Sequence, residues 1–300
     1  MAKILISGAS GLIGRALVAT FNSAGHTVFS LTRRSPKPDS GCFYWDPTRR
    51  IIEIPLDTKF DVVINLAGEG IANGRWSKQR KQHLRDSRIQ STKLLGKALA
   101  ASPPKLLLSA SATGIYGNGG EELLSESSQE GGGFLASLAH DWEASAQVCA
   151  QELRCRLCLM RFGVVLSPHG GALGQMLLPF KLGLGGRFGN GRQWMSWIGI
   201  GDAVRAISHL INNDHIQGPV NITTPSPVIN LEFTHTLARI LRRPALLPIP
   251  AFLLRLIFGE LADQLLLSSA RVHPSRLLET GFTFEAPTLE EALCRLLMKK

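Results

Sequence analysis

Short apolar runs alternate with stretches of helical periodicity over the first two thirds of the chain. The first run, Lys3-Ile4-Leu5-Ile6, has the length of a buried parallel strand. Apolar residues then recur at helical spacing, at Leu12, Ala16, Leu17 and Phe21. Because strands that alternate with helices are typical of doubly wound parallel sheets, the hydrophobic pattern predicts an α/β fold.

The same pattern places further elements along the chain. Strands are predicted at 27–31, 61–66, 105–109 and 156–165. Helices are predicted at 75–101, 134–152, 171–182 and, with Asp202 as the N-cap, up to residue 211. From about Val220 prolines interrupt the chain, and helical periodicity returns only at 231–241, 251–267 and 289–298.

A glycine-rich segment, Ser7-Gly8-Ala9-Ser10-Gly11-Leu12-Ile13-Gly14, joins the first strand to the first helix. The spacing is G-x-x-G-x-x-G, one residue wider than the ordinary dinucleotide fingerprint. Glycines permit a tight turn and close approach to a pyrophosphate, and the helix N-terminus offers N–H groups and a partial positive charge. The context predicts a Rossmann-like, dinucleotide-binding domain.

The residues after the second predicted strand discriminate between the two nicotinamide dinucleotides. NAD-binding turns place a carboxylate there, about 20 residues past the glycines, to bind the ribose 2′-hydroxyl. This chain instead has Thr32-Arg33-Arg34-Ser35, and its next acidic residue is Asp39. Because two guanidiniums suit a 2′-phosphate, the sequence predicts NADP(H) as the cofactor.

We therefore predict two units. Residues 1–220 form the NADP-binding Rossmann-like domain, with a substrate-loop insertion near 170–200. Residues 221–300 form a smaller, mainly helical substrate or interaction module. A second glycine-rich loop, Gly183–Arg192, lies within the insertion.

Composition narrows the class of protein. The 300 residues are 44% apolar and 19% charged, as in folded domains, and no apolar run has the roughly 18 residues of a membrane span. Five cysteines without an export-signal pattern predict free thiols and a cytoplasmic location. Cys155 and Cys158 form a C-x-x-C, but no second Cys or His pair completes a zinc set, so no metal site is expected.

The net charge of +10 raises the question of an anionic partner. The 33 Lys and Arg residues are scattered, without a basic tail or an aromatic-interleaved patch. We therefore expect an anionic cofactor and a small-molecule substrate, no membrane and no nucleic acid as partners, and leave open whether the chain forms a homodimer.

These residues resemble the extended short-chain dehydrogenase/reductases, the group that contains the nucleotide-sugar epimerases. The closer resemblance is to an atypical branch, the YfcH-type epimerase family, and it covers nearly the whole chain. The motifs that carry it are Asn65-Leu66-Ala67-Gly68-Glu69, Ser111-Ala112-Thr113-Gly114, Trp142-Glu143, Gly163-Val164-Val165-Leu166, residues 179–186 and Pro274-Ser275-Arg276-Leu277.

The turn, the second strand and the resemblance together define candidate cofactor-binding residues. They are Gly8, Ser10, Gly11, Leu12, Ile13, Gly14, Thr32, Arg33, Arg34, Leu66, Ala67, Gly68, Glu69, Arg88, Ser109, Phe162, Gly163 and Val164.

Ordinary members of the group carry Y-x-x-x-K on the helix after the serine turn, and this chain lacks it. Its two tyrosines, Tyr44 and Tyr116, are not followed by such a lysine, and alignment places Leu138 and Trp142 where the pair would stand. The candidate catalytic residues are therefore Ser111, as a hydrogen bond to substrate, and Tyr116, as a proton donor.

His140 and Asp141 are alternative proton donors, although the helical rotation places them on a face that we expect to be solvated. Two functions stay open. The chain is either an epimerase-like or oxidoreductase-like enzyme with non-standard catalytic residues, or a non-catalytic NADP(H)-binding sensor with a regulatory or interaction role. The substrate is not predicted.

Overall fold

The fold is described by a computed structural model that covers residues 1–37, 40–55 and 58–298. The strands in this part of the chain are β1 (Lys3–Ser7), β2 (Thr27–Thr32), β3 (Cys42–Asp46), β4 (Ile51–Ile52), β5 (Val62–Asn65), β6 (Leu106–Ala112), β7 (Leu123–Leu124), β8 (Arg156–Phe162), β9 (Val164–Leu166), β10 (Trp194–Met195), β11 (Trp197–Gly199), β12 (Gly218–Ile222), β13 (Val228–Ile229) and β14 (Arg271–Val272).

The helices alternate with these strands. They are α1 (Leu12–Ser23), α2 (Lys78–Leu99), α3 (Phe134–Leu153), α4 (Gly171–Lys181), α5 (Ile200–Asn212), α6 (Asn230–Leu241), α7 (Ala251–Phe258), α8 (Ser275–Glu279) and α9 (Leu289–Leu297). A short 3-10 turn, Thr113–Tyr116, follows β6, and a π-helical turn, Ala262–Leu266, follows α7. No helix of the described residues is long and apolar enough to cross a membrane.

Eight strands form one sheet in the order β12-β8-β6-β5-β1-β2-β3-β4. Every neighbouring pair is parallel except β3 and β4, which are antiparallel. Along the chain, β2, β3 and β4 are added on one side of β1, and β5, β6, β8 and β12 are added on the other side. The predicted doubly wound parallel sheet is confirmed, and its switch point lies between β1 and β5, where α/β folds bind ligands.

Apolar side chains cover both faces of this sheet. Ile4 and Ile6 of β1 lie in one cluster with Leu17 of α1, whereas Leu5 lies in a second cluster with Leu95 of α2. Because side chains alternate along a strand, one strand supplies both layers. The alternation explains why β1 appears in the sequence as a continuous apolar run.

A third apolar cluster joins the insertion to the C-terminal module. Leu173 of α4 and Trp197 of β11 pack with Phe233 of α6 and Leu293 of α9. The module is mainly helical, as predicted, but it shares its core with residues 164–197. The boundary predicted at residue 220 falls inside β12, the edge strand of the main sheet.

Asp202 is not the N-cap that the sequence predicted. The helix α5 begins three residues earlier than predicted, at Ile200, so that Gly199 is its N-cap and Asp202 lies in the first turn. The buried Asp202 carboxylate accepts the backbone N–H groups of Glu285 (2.9 Å) and Ala286 (3.0 Å). The side chain therefore ties the C-terminal segment to α5 instead of capping its own helix.

Two predicted elements are each split at a glycine. The strand predicted at 156–165 ends at Phe162, because after Gly163 the chain leaves the main sheet and continues as β9, which pairs with β11. The helix predicted at 251–267 ends at Phe258, because Gly259 adopts a φ of +62°. Both predictions of a single continuous element are wrong for this reason.

Gly96 provides a test of how closely α2 packs on α3. A Cβ at Gly96 would lie 2.7 Å from the buried Cys149 Sγ. We predict that Gly96→Ala lowers the free energy of unfolding by about 1–3 kcal/mol through overpacking, as measured by urea denaturation.

Gly201→Ala is the matched control, because a Cβ at this helical position would meet nothing within 4 Å. The control should keep or raise stability, since alanine favours a helix over glycine by about 1 kcal/mol. Equal destabilisation by the two variants would contradict the close contact between α2 and α3.

Candidate cofactor and substrate site

The glycine-rich turn connects β1 to α1 at the switch point of the sheet. Gly8 has a φ of +72°, and a Cβ there would lie 2.7 Å from the Leu66 carbonyl oxygen. A Cβ at Gly14 would lie 2.3 Å from the Gly8 carbonyl oxygen. Both positions exclude a larger residue, so the turn lies directly against the carboxyl end of β5.

The N-terminus of α1 is open to an anion. Its N-cap is Gly11, which has no side chain to accept a helix N–H, and its first turn contains no acidic residue. Ser10 is exposed beside it, and Leu12 and Ile13 are partly exposed. The free N–H groups and the positive end of the helix dipole therefore face outward, the arrangement that holds a pyrophosphate.

Arg33 and Arg34 follow β2 and are exposed. The backbone N–H of Arg34 donates to Thr32 Oγ1 (3.2 Å), which orders the end of the strand. In the ranges that the structure describes, neither guanidinium has an ion-pair partner. Asp39 lies outside these ranges. Two exposed cations thus stand at the strand end where the sequence predicts the 2′-phosphate.

A chain of buried hydrogen bonds fixes the ends of β1 and β5. Ser7 Oγ donates to Asn65 Oδ1 (2.7 Å), and Asn65 Nδ2 donates to Thr92 Oγ1 of α2 (2.9 Å). The Leu66 N–H in turn donates to Ser7 Oγ (3.2 Å). These bonds hold the predicted 66–69 segment, with Ala67 and Gly68, beside the glycine-rich turn.

Arg88 is a buried cation next to this segment. Its Nη2 donates to the Glu69 carbonyl oxygen (2.9 Å), and burial lowers its pKa to about 10. The Glu69 carboxylate pairs with Arg80, and among the described residues Arg88 has no carboxylate partner. The Arg88 guanidinium lies 5.0 Å from the Trp142 ring centroid, and the buried Trp142 Nε1 has no acceptor in the described chain.

Buried donors without partners are costly, so this corner suits a ligand that carries hydroxyl or phosphate oxygens. The other predicted cofactor residues lie on β6, on β8 and directly after β8. Ser109 of β6 is fully buried beside Asn65, and Phe162 of β8 lies beside Ala112. The chain then turns at Gly163, and Val164 reaches the wall of a cavity.

Ser111 and Tyr116 belong to a buried polar network that the sequence did not predict. Ser111 Oγ donates to Glu143 Oε1 (2.6 Å), and Arg161 binds the same carboxylate through Nε (2.8 Å) and Nη2 (2.9 Å). Arg161 Nη1 donates to the Tyr116 hydroxyl (3.0 Å), which itself donates to Asn221 Oδ1 (2.8 Å). The ion pair is buried on both sides.

This network leaves neither hydroxyl free. Burial raises the pKa of Tyr116, which is only 3% exposed, and its proton is directed at Asn221. Neither Ser111 nor Tyr116 lines the cavity. Their catalytic roles stay predictions, and the hydrogen bonding disfavours Tyr116 as a direct proton donor.

Sequence reasoning missed Arg161, Glu143 and Asn221 as members of the site. The available signal was a lone arginine inside the apolar run 157–162. A charge in a strand that is buried on both faces requires a buried partner of opposite sign. That partner is supplied by α3, which packs across β6 and β8.

A cavity of about 570 Å³ opens beyond the carboxyl end of β6. Thr113 and Gly114, which directly follow β6, form part of its wall, together with Val164. The loop Gly183–Arg192 contributes Leu184, Gly185, Gly186 and Phe188, so the predicted substrate loop does border a cavity. Further wall residues come from α4, α7 and the segment that follows α7, from the loops at 117–118 and 132–133, from the start of α3, and from the segment 194–196, which includes β10.

The alternative candidates lie elsewhere. His140 is exposed and bonds Glu130, and Asp141 pairs with Arg85 of α2, so both form ordinary surface contacts. All five cysteines are free thiols. In the described ranges no cluster of three or more His, Cys, Asp or Glu side chains is arranged to hold a metal ion.

Two family models together match most of the chain. Residues 4–223 match the model described as "NAD dependent epimerase/dehydratase family", and residues 249–296 match "Domain of unknown function (DUF1731)". The Epimerase family protein Mb2239 of Mycobacterium bovis is 45% identical over 292 residues, which are 97% of this chain and 96% of that protein.

Solved structures give the same assignment. The crystal structure of human epimerase family protein SDR39U1 (isoform2) with NADPH matches with a TM-score of 0.91 and 34% identity, over 99% of this chain and 100% of that chain. MoeE5 in complex with UDP-glucuronic acid and NAD matches with a TM-score of 0.76 over 97% and 96% of the two chains, and at 21% identity this likeness shows the fold alone.

The family resemblance that the motifs carried is thus confirmed. The chain belongs to the NAD dependent epimerase/dehydratase family, in the branch of epimerase family proteins that carry a C-terminal DUF1731 segment.

Proposed function

We propose that this protein binds NADPH at the β1–α1 turn and uses it to reduce a small substrate in the adjoining cavity. The observation that carries the proposal is that the predicted cofactor site and the cavity are joined by one segment of the chain. The segment that leaves β6 beside the predicted cofactor residue Ser109 forms the cavity wall at Thr113 and Gly114. The 34%-identical human relative was crystallised with NADPH, which supports the choice of cofactor.

The residues of the turn fit the pyrophosphate of such a cofactor. Gly8 and Gly14 leave no room for side chains, and the uncapped N-terminus of α1 provides N–H donors. Arg33 and Arg34 supply the charge for the 2′-phosphate. Arg88 provides a further donor near the end of β5.

When bound, the reduced nicotinamide supplies a hydride. The protein's own part is to orient the cofactor against the cavity and to limit the access of water. Ser111 and Tyr116 are then positioning residues. Through the Glu143–Arg161 pair they hold the segment from which Thr113 and Gly114 face the cavity.

A second candidate function is an NADPH-binding sensor without turnover. It is favoured by the missing Y-x-x-x-K pair and by the engagement of both candidate hydroxyls inside the network. Absorbance of the reduced nicotinamide separates the two functions. Consumption of NADPH with an aldehyde, ketone or quinone supports the enzyme, whereas tight binding without consumption by the whole panel supports the sensor.

The first prediction concerns the selectivity of the protein for NADPH over NADH. The double variant Arg33→Ala with Arg34→Ala should weaken NADPH binding by about 10- to 100-fold, since a hydrogen bond to a charged group contributes about 1.5–3 kcal/mol. NADH binding should change by less than about twofold, because NADH has no 2′-phosphate. Isothermal titration calorimetry measures both affinities.

The control is Arg49→Ala with Arg50→Ala, an adjacent pair of exposed arginines on the β3–β4 turn. The control removes the same charge and should leave both affinities unchanged. Equal losses for NADPH and NADH in the Arg33–Arg34 variant would refute the 2′-phosphate assignment.

A second prediction concerns Tyr116. Tyr116→Phe leaves Arg161 Nη1 and Asn221 Oδ1 without their shared partner, which should cost about 1–3 kcal/mol of unfolding free energy. The turnover number per folded molecule should stay within about threefold of the parent value, because a positioning residue supplies no proton in the reaction.

Denaturation and steady-state NADPH oxidation, measured on the same preparation, decide this point. Ser111→Ala, which removes the hydroxyl bound to Glu143, is the companion variant. If Tyr116→Phe instead lost about 100-fold or more in turnover with its stability intact, Tyr116 would be the proton donor.

A further inference from the structure

The cavity wall lacks a cation. Among the residues that the structure describes, no Lys, Arg or His lines it, and Asp263 is its one charged side chain. The Asp263 carboxylate already accepts Arg255 Nε (2.9 Å) at the surface. Two arginines lie near the cavity but outside its wall: Arg187 donates to the Asn190 carbonyl oxygen, and the Arg271 guanidinium lies 4.5 Å from the ring centroid of the wall residue Trp194.

Most polar side chains of the wall are already bonded. Asn118 Oδ1 accepts the Ser269 N–H, and Asn230 Oδ1 accepts the Phe188 N–H (2.7 Å). Gln264 Oε1 likewise accepts a backbone N–H (3.0 Å). These bonds stabilise the loops around the cavity, and among these groups the Asn118 Nδ2 is the donor without a partner in the described chain.

The rest of the wall is apolar and built from several elements. Met176 and Phe180 of α4 and Leu254 and Phe258 of α7 line it, together with β10 and with side chains of loops and turns. These further residues include Leu184, Phe188, Trp194, Met195, Leu261, Leu265 and Leu266. A flexible, polarisable methionine adapts to irregular apolar ligands.

The apolar surface continues to the rim. Leu184 lines the cavity and is nevertheless 58% exposed. An apolar molecule that enters over this rim therefore meets apolar side chains from solvent to interior. The volume of about 570 Å³ accommodates a ligand of medium size.

A nucleoside diphosphate sugar does not suit this wall. Its diphosphate carries two negative charges, which proteins bind with Arg, Lys, metal ions or helix N-termini. Among the described residues the wall has no Arg or Lys; it does include the first turns of α3 and α4, and in α3 the Leu135 N–H already donates to Gln264 Oε1. Moving a doubly charged anion into a cavity without side-chain cations costs several kcal/mol. The wall therefore disfavours nucleotide sugars such as UDP-glucuronic acid, with which MoeE5, a distant protein of the same fold, was crystallised.

We propose that the substrate of this site is an uncharged, largely apolar carbonyl compound, such as a long-chain ketone or aldehyde or a quinone. This rests on the proposed function, because the reductant is NADPH. For a ketone or aldehyde, the carbonyl carbon gains the hydride and the oxygen gains one proton from water, which gives an alcohol and NADP⁺. A quinone takes the same hydride and proton to become a hydroquinone.

The wall offers donors for one such oxygen. Thr113 and Gln175 line the cavity, and neither side chain has a hydrogen bond within the described chain. One or two donors match a single carbonyl group in an otherwise apolar molecule.

Binding of the neutral dye Nile red to the NADPH-loaded protein tests the proposal. Met176→Glu puts a charge in the cavity and should weaken dye binding by about tenfold or more. Leu178→Glu is the matched control, since Leu178 lies on the same helix, is 66% exposed and does not line the cavity. The control should bind the dye within about twofold of the parent protein.

A second pair at the rim keeps the test decisive if Met176→Glu fails to fold. Leu184→Glu should also weaken dye binding, whereas Leu182→Glu, which is 64% exposed and outside the wall, should not. Decan-2-one and menadione should displace the dye at micromolar concentration and should be tested for NADPH oxidation. UDP-glucose should not displace it at millimolar concentration.

Displacement of the dye by UDP-glucose, or equal dye binding in both members of each pair, would overturn the proposal. Failure of the proposed function is recognised separately by calorimetry, as absence of NADPH binding to the parent chain. In that event Nile red binding to the cofactor-free chain still reports whether the cavity takes apolar ligands.

Discussion

The structure depends on the contact between the β1–α1 turn and the end of β5. A Cβ at Gly14 would overlap the Gly8 carbonyl oxygen, and a Cβ at Gly8 would overlap the Leu66 carbonyl oxygen. The absence of these two side chains lets α1 lie close to the sheet with its N-terminus beside the switch point. The Ser7–Asn65–Thr92 hydrogen bonds hold β1, β5 and α2 in the same arrangement. Cofactor binding by this protein therefore depends on packing of the backbone as much as on polar side chains.

The Glu143–Arg161 pair likewise holds strands and a helix together, on the β6 and β8 side of the switch point. A buried ion pair contributes little net stability, but loss of one partner is expensive because the other charge stays buried. The pair binds Ser111 and Tyr116, and Asn221 extends the network to β12. It thus joins α3, β6, β8 and β12 at their common edge. Thr113 and Gly114, which lie between the network residues Ser111 and Tyr116, line the apolar cavity. The polar network thus holds the strand ends in place, and the cavity provides the space for a ligand.

Much of this arrangement could be predicted from the sequence. Parallel strands such as β1 and β5 are buried on both faces and give clear apolar runs, and the glycine spacing reflects steric contacts that no other residue tolerates. The short strands β3, β4 and β12 were not predicted; β4 and β12 are the edges of the sheet, and β3 lies next to the edge, where short strands carry a weaker apolar pattern. The breaks at Gly163 and Gly259 follow from tertiary contact and from a positive φ, which hydrophobic periodicity does not report. The Glu143–Arg161 pair joins residues from different elements, and the cavity wall combines α4 with α7, so neither has a local sequence signature.

The most direct test of this account is calorimetric titration of the intact chain with NADPH and, separately, with NADH. The account predicts that NADPH binds about tenfold or more tightly than NADH, because only NADPH presents a 2′-phosphate to Arg33 and Arg34. Heat of binding from neither dinucleotide, or equal affinity for the two, would contradict it.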